Sequence, residues 1–375
     1  MKEKNNLRKT LSVFICVACC SLFVSCGNSN TGNADKTKDN ESGISASEID
    51  KKNGGNNDDD YAASRDIFAM DTYMTVKAYG SNADEAVEEA IKEIERLDGM
   101  LSATDKDSEI YKLNMNQGGS LSEDVSYLIE RSKEIYESTE GTFNIAIYPI
   151  VEKWGFASGD YNVPTQDELN ELLKDTDFSK VNYDKNNQSL LYETETMKID
   201  LGGIAKGYTS ARIMDIFKDL GVTSGIVNLG GNVQVLGTKT DGSDWKVAIQ
   251  DPLDEDSYIG VLKTHDKAVI TSGGYERYFE KDGVRYHHII DPKTGYPADS
   301  GLISVTIVCS DGTMADCLST SLFIMGKDEA IAYWKKHSSE FDTILYTENN
   351  ELLVTEGIAD QFTSELNITI INDDK

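Results

Sequence analysis

The chain has 375 residues and carries 36 lysines and arginines against 65 aspartates and glutamates, a formal charge of -29 at pH 7. That field repels phosphate polymers at long range and excludes nucleic acid as a partner. Any handling of a diphosphate would need local cancellation by a divalent cation or a fixed lysine. The amino-terminal stretch does not read as folded domain, which leaves about 300 residues, large for one core yet possible.

Residues 1–25 read as a secretory signal. Lys2, Lys4, Arg8 and Lys9 form a basic start, and the apolar run from Leu11 to Val24, about 14 residues, is too short to span a membrane comfortably. The run ends in Leu22-Phe23-Val24-Ser25-Cys26-Gly27, which resembles a bacterial lipobox with Phe23 where leucine is usual. The resemblance implies lipidation of Cys26 and attachment to the extracytoplasmic face of the bacterial cell membrane. Cys16, Cys19 and Cys20 fall inside the signal. Residues 26–64 have only Ile44, Ile49 and Tyr61 as larger apolar side chains and read as a disordered tether. Its typical reach is about 35 Å.

Folded domain is expected over residues 65–370. Ile67 to Tyr79 reads as a strand, and Ala83, Ala86, Val87, Ala90, Ile91, Ile94 and Leu97 form an apolar stripe at helical spacing. A second helix is predicted from about Glu123 to Glu140, with Val125, Leu128, Ile129 and Ile135 inward and Gly141 as its stop. Thr165 and Glu168 make a capping box for a short third helix. Strands are expected to dominate from Met197 to Cys309, among them Gly225 to Val235, Trp245 to Gln250, Ala268 to Ser272, Val284 to Ile290 and Ile303 to Cys309. Helices at Gly312 to Met325 and Asp328 to Lys336, then strands near Ile344 and Leu353, complete the chain. Strands and helices are partly segregated, without repeats, so the class is α+β in one domain. Cys309 and Cys317 read as small buried side chains and as free thiols, although export permits a disulfide.

Three segments carry chemistry. Asp200-Leu201-Gly202-Gly203-Ile204-Ala205-Lys206-Gly207-Tyr208 is not a Walker A loop, because the glycine-to-lysine spacing is wrong. A strand ending in Asp200, two glycines and a lysine opening a helix could hold a phosphate or hydroxyl-rich ligand, or could be a structural turn. In Arg285 to Gly295, His287 and His288 point to opposite faces of an extended strand, so at most one of them serves a site. The only other histidines, His265 and His337, are remote in sequence, and no pair has helical zinc-ligand spacing. Asp316 and Thr320 lie at i and i+4, on one helix face. They are hard oxygen ligands of the kind Mg²⁺ accepts beside phosphate oxygens; the alternative is a polar face turned to solvent.

Taken in order, these segments and others closely resemble the ApbE-type FAD:protein FMN transferases, the thiamine-biosynthesis lipoprotein family, over about residues 66 to 360. The resemblance runs through Met70-Asp71-Thr72, Leu101-Ser102, Ser108-Glu109-Ile110, Leu113-Asn114, Gly141-Thr142-Phe143-Asn144, Trp154-Gly155 and the Asp200 to Tyr208 stretch. It continues through Gly230-Gly231-Asn232, Asp251-Pro252, Thr271-Ser272-Gly273 with Tyr275, His288 to Pro292 with Thr294-Gly295, and Ala315-Asp316 to Thr320.

The resemblance implies a single T-fold-like α+β domain, mainly antiparallel, with flanking helices. It implies transfer of FMN from FAD to a Ser or Thr hydroxyl of an acceptor flavoprotein, leaving a phosphoester and releasing AMP. It places Mg²⁺ on the Gly203 carbonyl, the Asp316 carboxylate and the Thr320 hydroxyl. FAD contacts fall to Met70, Thr142, Phe143, Asn144, Asp200, Lys206 and the backbone around Ile290, and His288 matches a histidine important for activity, as a base or an orienting group. The acceptor is expected to be a membrane electron-transfer subunit carrying a short flavinylation motif. Two departures from the family stand out: Asn144 replaces a common aspartate, and Thr104 stands where an aromatic residue is common near the adenine. A lipid-anchored flavin-binding receptor without chemistry is the competing reading, and a cell-envelope interaction module is a third.

Overall fold

Residues 61–373 are described by a computed structural model. The signal and Cys26 lie outside the described residues, as does the tether up to residue 60. The chain becomes a strand at Ala62, so the expected tether boundary at Ser64 falls inside the first element. The predicted single strand to Tyr79 is a hairpin, β1 (Ala62–Ala69) and β2 (Thr72–Tyr79), closed by Met70 and Asp71 at φ 47 and 60. Neither residue is glycine, the usual mark of such a turn, which is why periodicity alone ran the two strands together.

Helix α1 (Ala83–Leu101) buries each member of its predicted stripe. The short helix α2 (Glu109–Asn116), capped by Ser108, and strand β3 (Gly118–Ser120) had no separate sequence signal strong enough to mark them. Helix α3 (Glu123–Ser138) buries Val125, Leu128, Ile129 and Ile135 as expected, and Gly141 follows with φ 84. Next come α4 (Tyr148–Trp154) and α5 (Gln166–Leu172), the latter with both halves of the capping box formed. Strands β4 (Val181–Asp184) and β5 (Ser189–Tyr192) pair with β3 in the order β3-β5-β4.

Helix α6 (Ala205–Asp219) interrupts the region where strands were expected to dominate. Strands β6 (Ser224–Leu229) and β7 (Asn232–Leu236) replace the single run from Gly225, turning at Gly230 and Gly231. Then follow β8 (Trp245–Asp251), β9 (Asp254–Thr264), β10 (Ala268–Gly273), β11 (Tyr278–Lys281), β12 (Val284–His287) and β13 (Leu302–Cys309). Helices α7 (Gly312–Met325, with Gly326 as C-cap) and α8 (Lys327–Lys336) match their predicted positions. The chain closes with β14 (Asp342–Thr347), β15 (Leu352–Thr355), α9 (Glu356–Ala359), β16 (Phe362–Thr363) and β17 (Ile368–Ile371).

Nine strands form the central sheet in the order β1-β2-β6-β7-β10-β13-β14-β15-β17, antiparallel throughout except for β15 with β17. Its two faces bury different partners because side chains alternate along each strand. In β10, Ala268 and Ile270 join α6, α7 and α8 in one core, while Val269 turns to the opposite face and packs with Trp245, Val247, Ile249 and Phe362 of the small β16-β9-β8 sheet. Burial on both faces makes β13 a nearly continuous apolar run. The expected α+β class, mainly antiparallel with flanking helices, is the observed one. Cys309 and Cys317 are buried free thiols.

Candidate active site

The amino-terminal turns of α6 and α7 meet at Gly207. A Cβ there would sit 2.1 Å from the Gly312 carbonyl oxygen and 2.6 Å from Cβ of Asp316, so only glycine permits this approach. The same closeness lets the Gly207 N–H donate to Asp316 Oδ2 at 2.8 Å. Asn232, the first residue of β7, donates from Nδ2 to Asp316 Oδ1 at 2.9 Å. Asp316 is 4% exposed, so its helix face turns into the protein and not to solvent. One turn on, half-buried Thr320 lies 3.3 Å from the Ser272 hydroxyl of β10, which is also 2.8 Å from that of Ser319.

The donor chemistry fits a hard divalent cation: one carboxylate and, one turn on along the same helix face, one hydroxyl. Among the described residues there is no cluster of three or more His, Cys, Asp or Glu side chains suited to a metal. A cation held by so few protein ligands takes the rest of its shell from water and ligand phosphates, the habit of Mg²⁺.

The segment leading to Asp200 is extended but is not a ladder strand, contrary to expectation. A buried asparagine side chain replaces the neighbouring strand. Asn114 donates from Nδ2 to the Ile199 carbonyl and accepts from the Ile199 N–H through Oδ1, each at 2.8 Å. The Asp200 N–H donates to the Ile145 carbonyl at 2.8 Å. Burial pushes the Asp200 carboxyl up, opposed by the N–H groups of Gly202 and Leu201 and by the charges of Arg277 and Lys206. Lys206, the second residue of α6, also acts electrostatically on Glu276 and His288.

Met70 reaches the same helix, with its sulfur 3.8 Å from the Thr209 hydroxyl, and its N–H donates to Asp98 Oδ1 at 2.9 Å. Past α3, Thr142 and Phe143 are buried, and the Phe143 ring lies 3.3 Å from where a Cβ on Gly203 would stand. Asn144 accepts from the Ala146 N–H at 2.9 Å and donates to the Thr176 carbonyl at 2.7 Å. A carboxylate could not make the second bond, so the departure from aspartate has a local structural use. Ile290 is buried and bridges to Pro297.

At the end of β12 the two histidines separate as the strand geometry requires. Half-buried His287 hydrogen-bonds through Nε2 to the Ala298 carbonyl and packs its ring edge-on to Phe323. His288, at the hairpin stem, places Nδ1 3.1 Å from the Arg277 carbonyl oxygen, and its N–H donates to the same oxygen at 3.1 Å. Since a carbonyl only accepts, Nδ1 must carry the proton in the neutral ring, leaving Nε2 as the acceptor. Burial, with the charges of Lys206, Arg277 and His287, pushes the His288 pKa down to about 3, against the hydrogen bond to Arg277. The imidazole is therefore neutral at physiological pH.

Sequence reasoning gave no role to four side chains of this region. Asn232 and Ser272 lie inside quoted motifs but declare themselves only by what they touch. Asp98 holds the Met70 turn, and nothing in its helical stripe marks it. Glu276, between β10 and β11, has its carboxyl raised by desolvation and, against the pull of Lys206, by the charge of Asp316. An open cleft of about 760 Å³ between α1, α2 and β3 contains none of the residues expected to bind ligand.

The fold is an α+β domain that brings a buried oxygen face, a lysine and a neutral histidine into one region. A profile described as the ApbE family matches residues 70–345, and the chain belongs to that family. It is 32% identical over 291 residues to an FAD:protein FMN transferase of Klebsiella pneumoniae, covering 76% of this chain and 89% of the relative. An enzyme of the same description from Treponema pallidum is 31% identical over 319 residues, covering 80% and 88%. Among solved structures, the ApbE protein of Thermotoga maritima superposes with a TM-score of 0.76 at 33% identity, covering 80% of this chain and 99% of its own. The flavin transferase ApbE of Vibrio cholerae gives 0.69 at 26%, covering 82% and 97%.

Proposed function

We propose that this enzyme transfers the FMN half of FAD to a Ser or Thr hydroxyl of an acceptor flavoprotein. The acceptor oxygen attacks the phosphorus on the FMN side, the bond to the bridging oxygen breaks, and AMP leaves with that oxygen. A phosphoester joins FMN to the acceptor. Neutral His288 accepts a hydrogen bond from the acceptor hydroxyl at Nε2, the nitrogen left free by the Arg277 carbonyl, and orients the attacking oxygen. Lys206 offsets diphosphate charge within a strongly anionic protein, and Asp200 with Met70, Thr142, Phe143, Asn144 and the Ile290 backbone orients FAD. Gly203, Asp316 and Thr320 would hold Mg²⁺, which supplies charge stabilisation on the phosphoryl oxygens.

The observation that carries this reading is the burial of Asp316. Among the described residues its hydrogen-bond donors are a backbone N–H and a neutral amide, so its charge has no cationic side chain bonded to it. A buried carboxylate of that kind is costly without a cation. The acceptor is proposed to be a membrane electron-transfer subunit, and the enzyme to work outside the cytoplasmic membrane, anchored through lipidated Cys26. Incubation with FAD, Mg²⁺ and a candidate acceptor should yield acceptor-FMN by mass spectrometry and AMP by chromatography. Asp316→Ala should abolish both. Tight FAD binding with neither product, where an established family enzyme works in parallel, would identify a flavin receptor instead.

A further inference from the structure

We propose that Asn232 is a positioning residue that holds the Asp316 carboxylate in its cation-binding orientation. This inference rests on the metal reading above. An ionised carboxylate has about four acceptor directions, two per oxygen. Asn232 takes one on Oδ1 and the Gly207 N–H takes one on Oδ2, so each oxygen keeps another for a cation. Both donors are neutral. They fix the rotamer without cancelling the charge, which a lysine or arginine in the same place would do.

Asn232 is itself immobilised. It is 2% exposed and forms the closing pair of the β6–β7 hairpin with Leu229. The hairpin turn is pressed against the β1–β2 turn, since a Cβ on Gly230 would fall 2.2 Å from the Thr72 hydroxyl oxygen. Across the sheet, β7 pairs with β10, which carries the Ser272 hydroxyl to Thr320. Adjacent strands thus steady both side chains that α7 presents. Outer partners of metal ligands act in this way, and their loss costs about 10–100-fold in metal affinity.

The test is Mn²⁺ titration of the FAD-loaded full chain in detergent, without acceptor, followed by electron paramagnetic resonance. Asn232→Leu should weaken Mn²⁺ binding about 10–100-fold while thermal unfolding remains cooperative. Asn232→Asp keeps the shape, replaces a donor by a like charge, and should also weaken binding at neutral pH. In an Asp316→Ala background, Asn232→Leu should have no further effect on the residual affinity, which a general structural role would not predict. Unchanged Mn²⁺ affinity in folded Asn232 variants overturns the positioning role and leaves the metal reading standing. Tighter binding by Asn232→Asp also overturns it, because position 232 would then reach the cation directly. Failure of the wild-type chain to take up Mn²⁺ overturns the metal reading and this inference with it.

Discussion

The imidazole of His288 and the backbone carbonyl of Arg277 are joined at 3.1 Å across the stem of the β11–β12 hairpin, and this contact decides which ring nitrogen is free. The hairpin that sets it rests on an aromatic stack, with Phe279 against Tyr161 at 4.8 Å and against Tyr286 at 5.3 Å between ring centres. An exposed loop could not hold a tautomer so firmly.

His288 should therefore stay neutral and protonated at Nδ1 from pH 5 to 8, which nitrogen chemical shifts in a histidine-labelled sample would report. A titration near 6.5 in the folded protein would contradict the environment described. The linkage has a definite sign. With a folded pKa of about 3 against an ordinary value of 6.5, the unfolded chain binds more protons between those limits. The resulting stability is complete above pH 6.5 and falls as pH drops toward 3, and His288→Gln should remove that part of the acid sensitivity. The same variant should lose about 10²-fold in transfer rate, the cost of a misplaced nucleophile.

Gly207→Ala forces a methyl group against the Gly312 carbonyl and Asp316. Overpacking of this kind costs about 1–3 kcal/mol. Denaturant unfolding should show that loss, and transfer assays should show a larger requirement for Mg²⁺, because the Asp316 Oδ2 contact is displaced as well.

Restoring the more common aspartate by Asn144→Asp should destabilise this chain. The Thr176 carbonyl loses its donor and faces a carboxylate, a cost of about 1–3 kcal/mol for a polar group left unpaired. A lower melting temperature with an unaltered midpoint for Mg²⁺ would match the assignment of Asn144 away from the cation.

Both thiols of the described region should resist modification until the protein unfolds. Burial pushes Cys309 up to about 12 and Cys317 well above the ordinary thiol value, and the two are 1% and 0% exposed. A soluble form lacking residues 1–26 should release no fast-reacting thiol to a disulfide reagent in buffer, and two in denaturant.

Much of the fold was legible wherever the signal is local. The α1 stripe, the α3 inward set, the Thr165–Glu168 box and the span from Gly312 to the Gly326 C-cap arise from a 3.6-residue period and from caps within one turn. Elements without such a mark were merged or missed. The Met70–Asp71 turn lacks glycine and proline, the asparagine-braced approach to Asp200 has no neighbouring strand, and β11 starts among charged residues. Assignment of the ligand-binding positions came from family resemblance, since spacing alone left Asp316 and Thr320 open to the solvent-facing alternative.

By itself, then, the sequence determined the α+β class, the helix boundaries with strong caps, the opposite facing of His287 and His288, and the common face of Asp316 and Thr320. All of these follow from backbone geometry within a few residues. Only the tertiary structure decided that this face is buried, that Gly207 and Asn232 hold its carboxylate, and that Arg277 leaves Nε2 of His288 free. Those contacts join residues 109, 84 and 11 positions apart. No local periodicity encodes them, because they form only when the packing of α6 on α7 and the register of β7 and β12 bring distant donors and acceptors into contact.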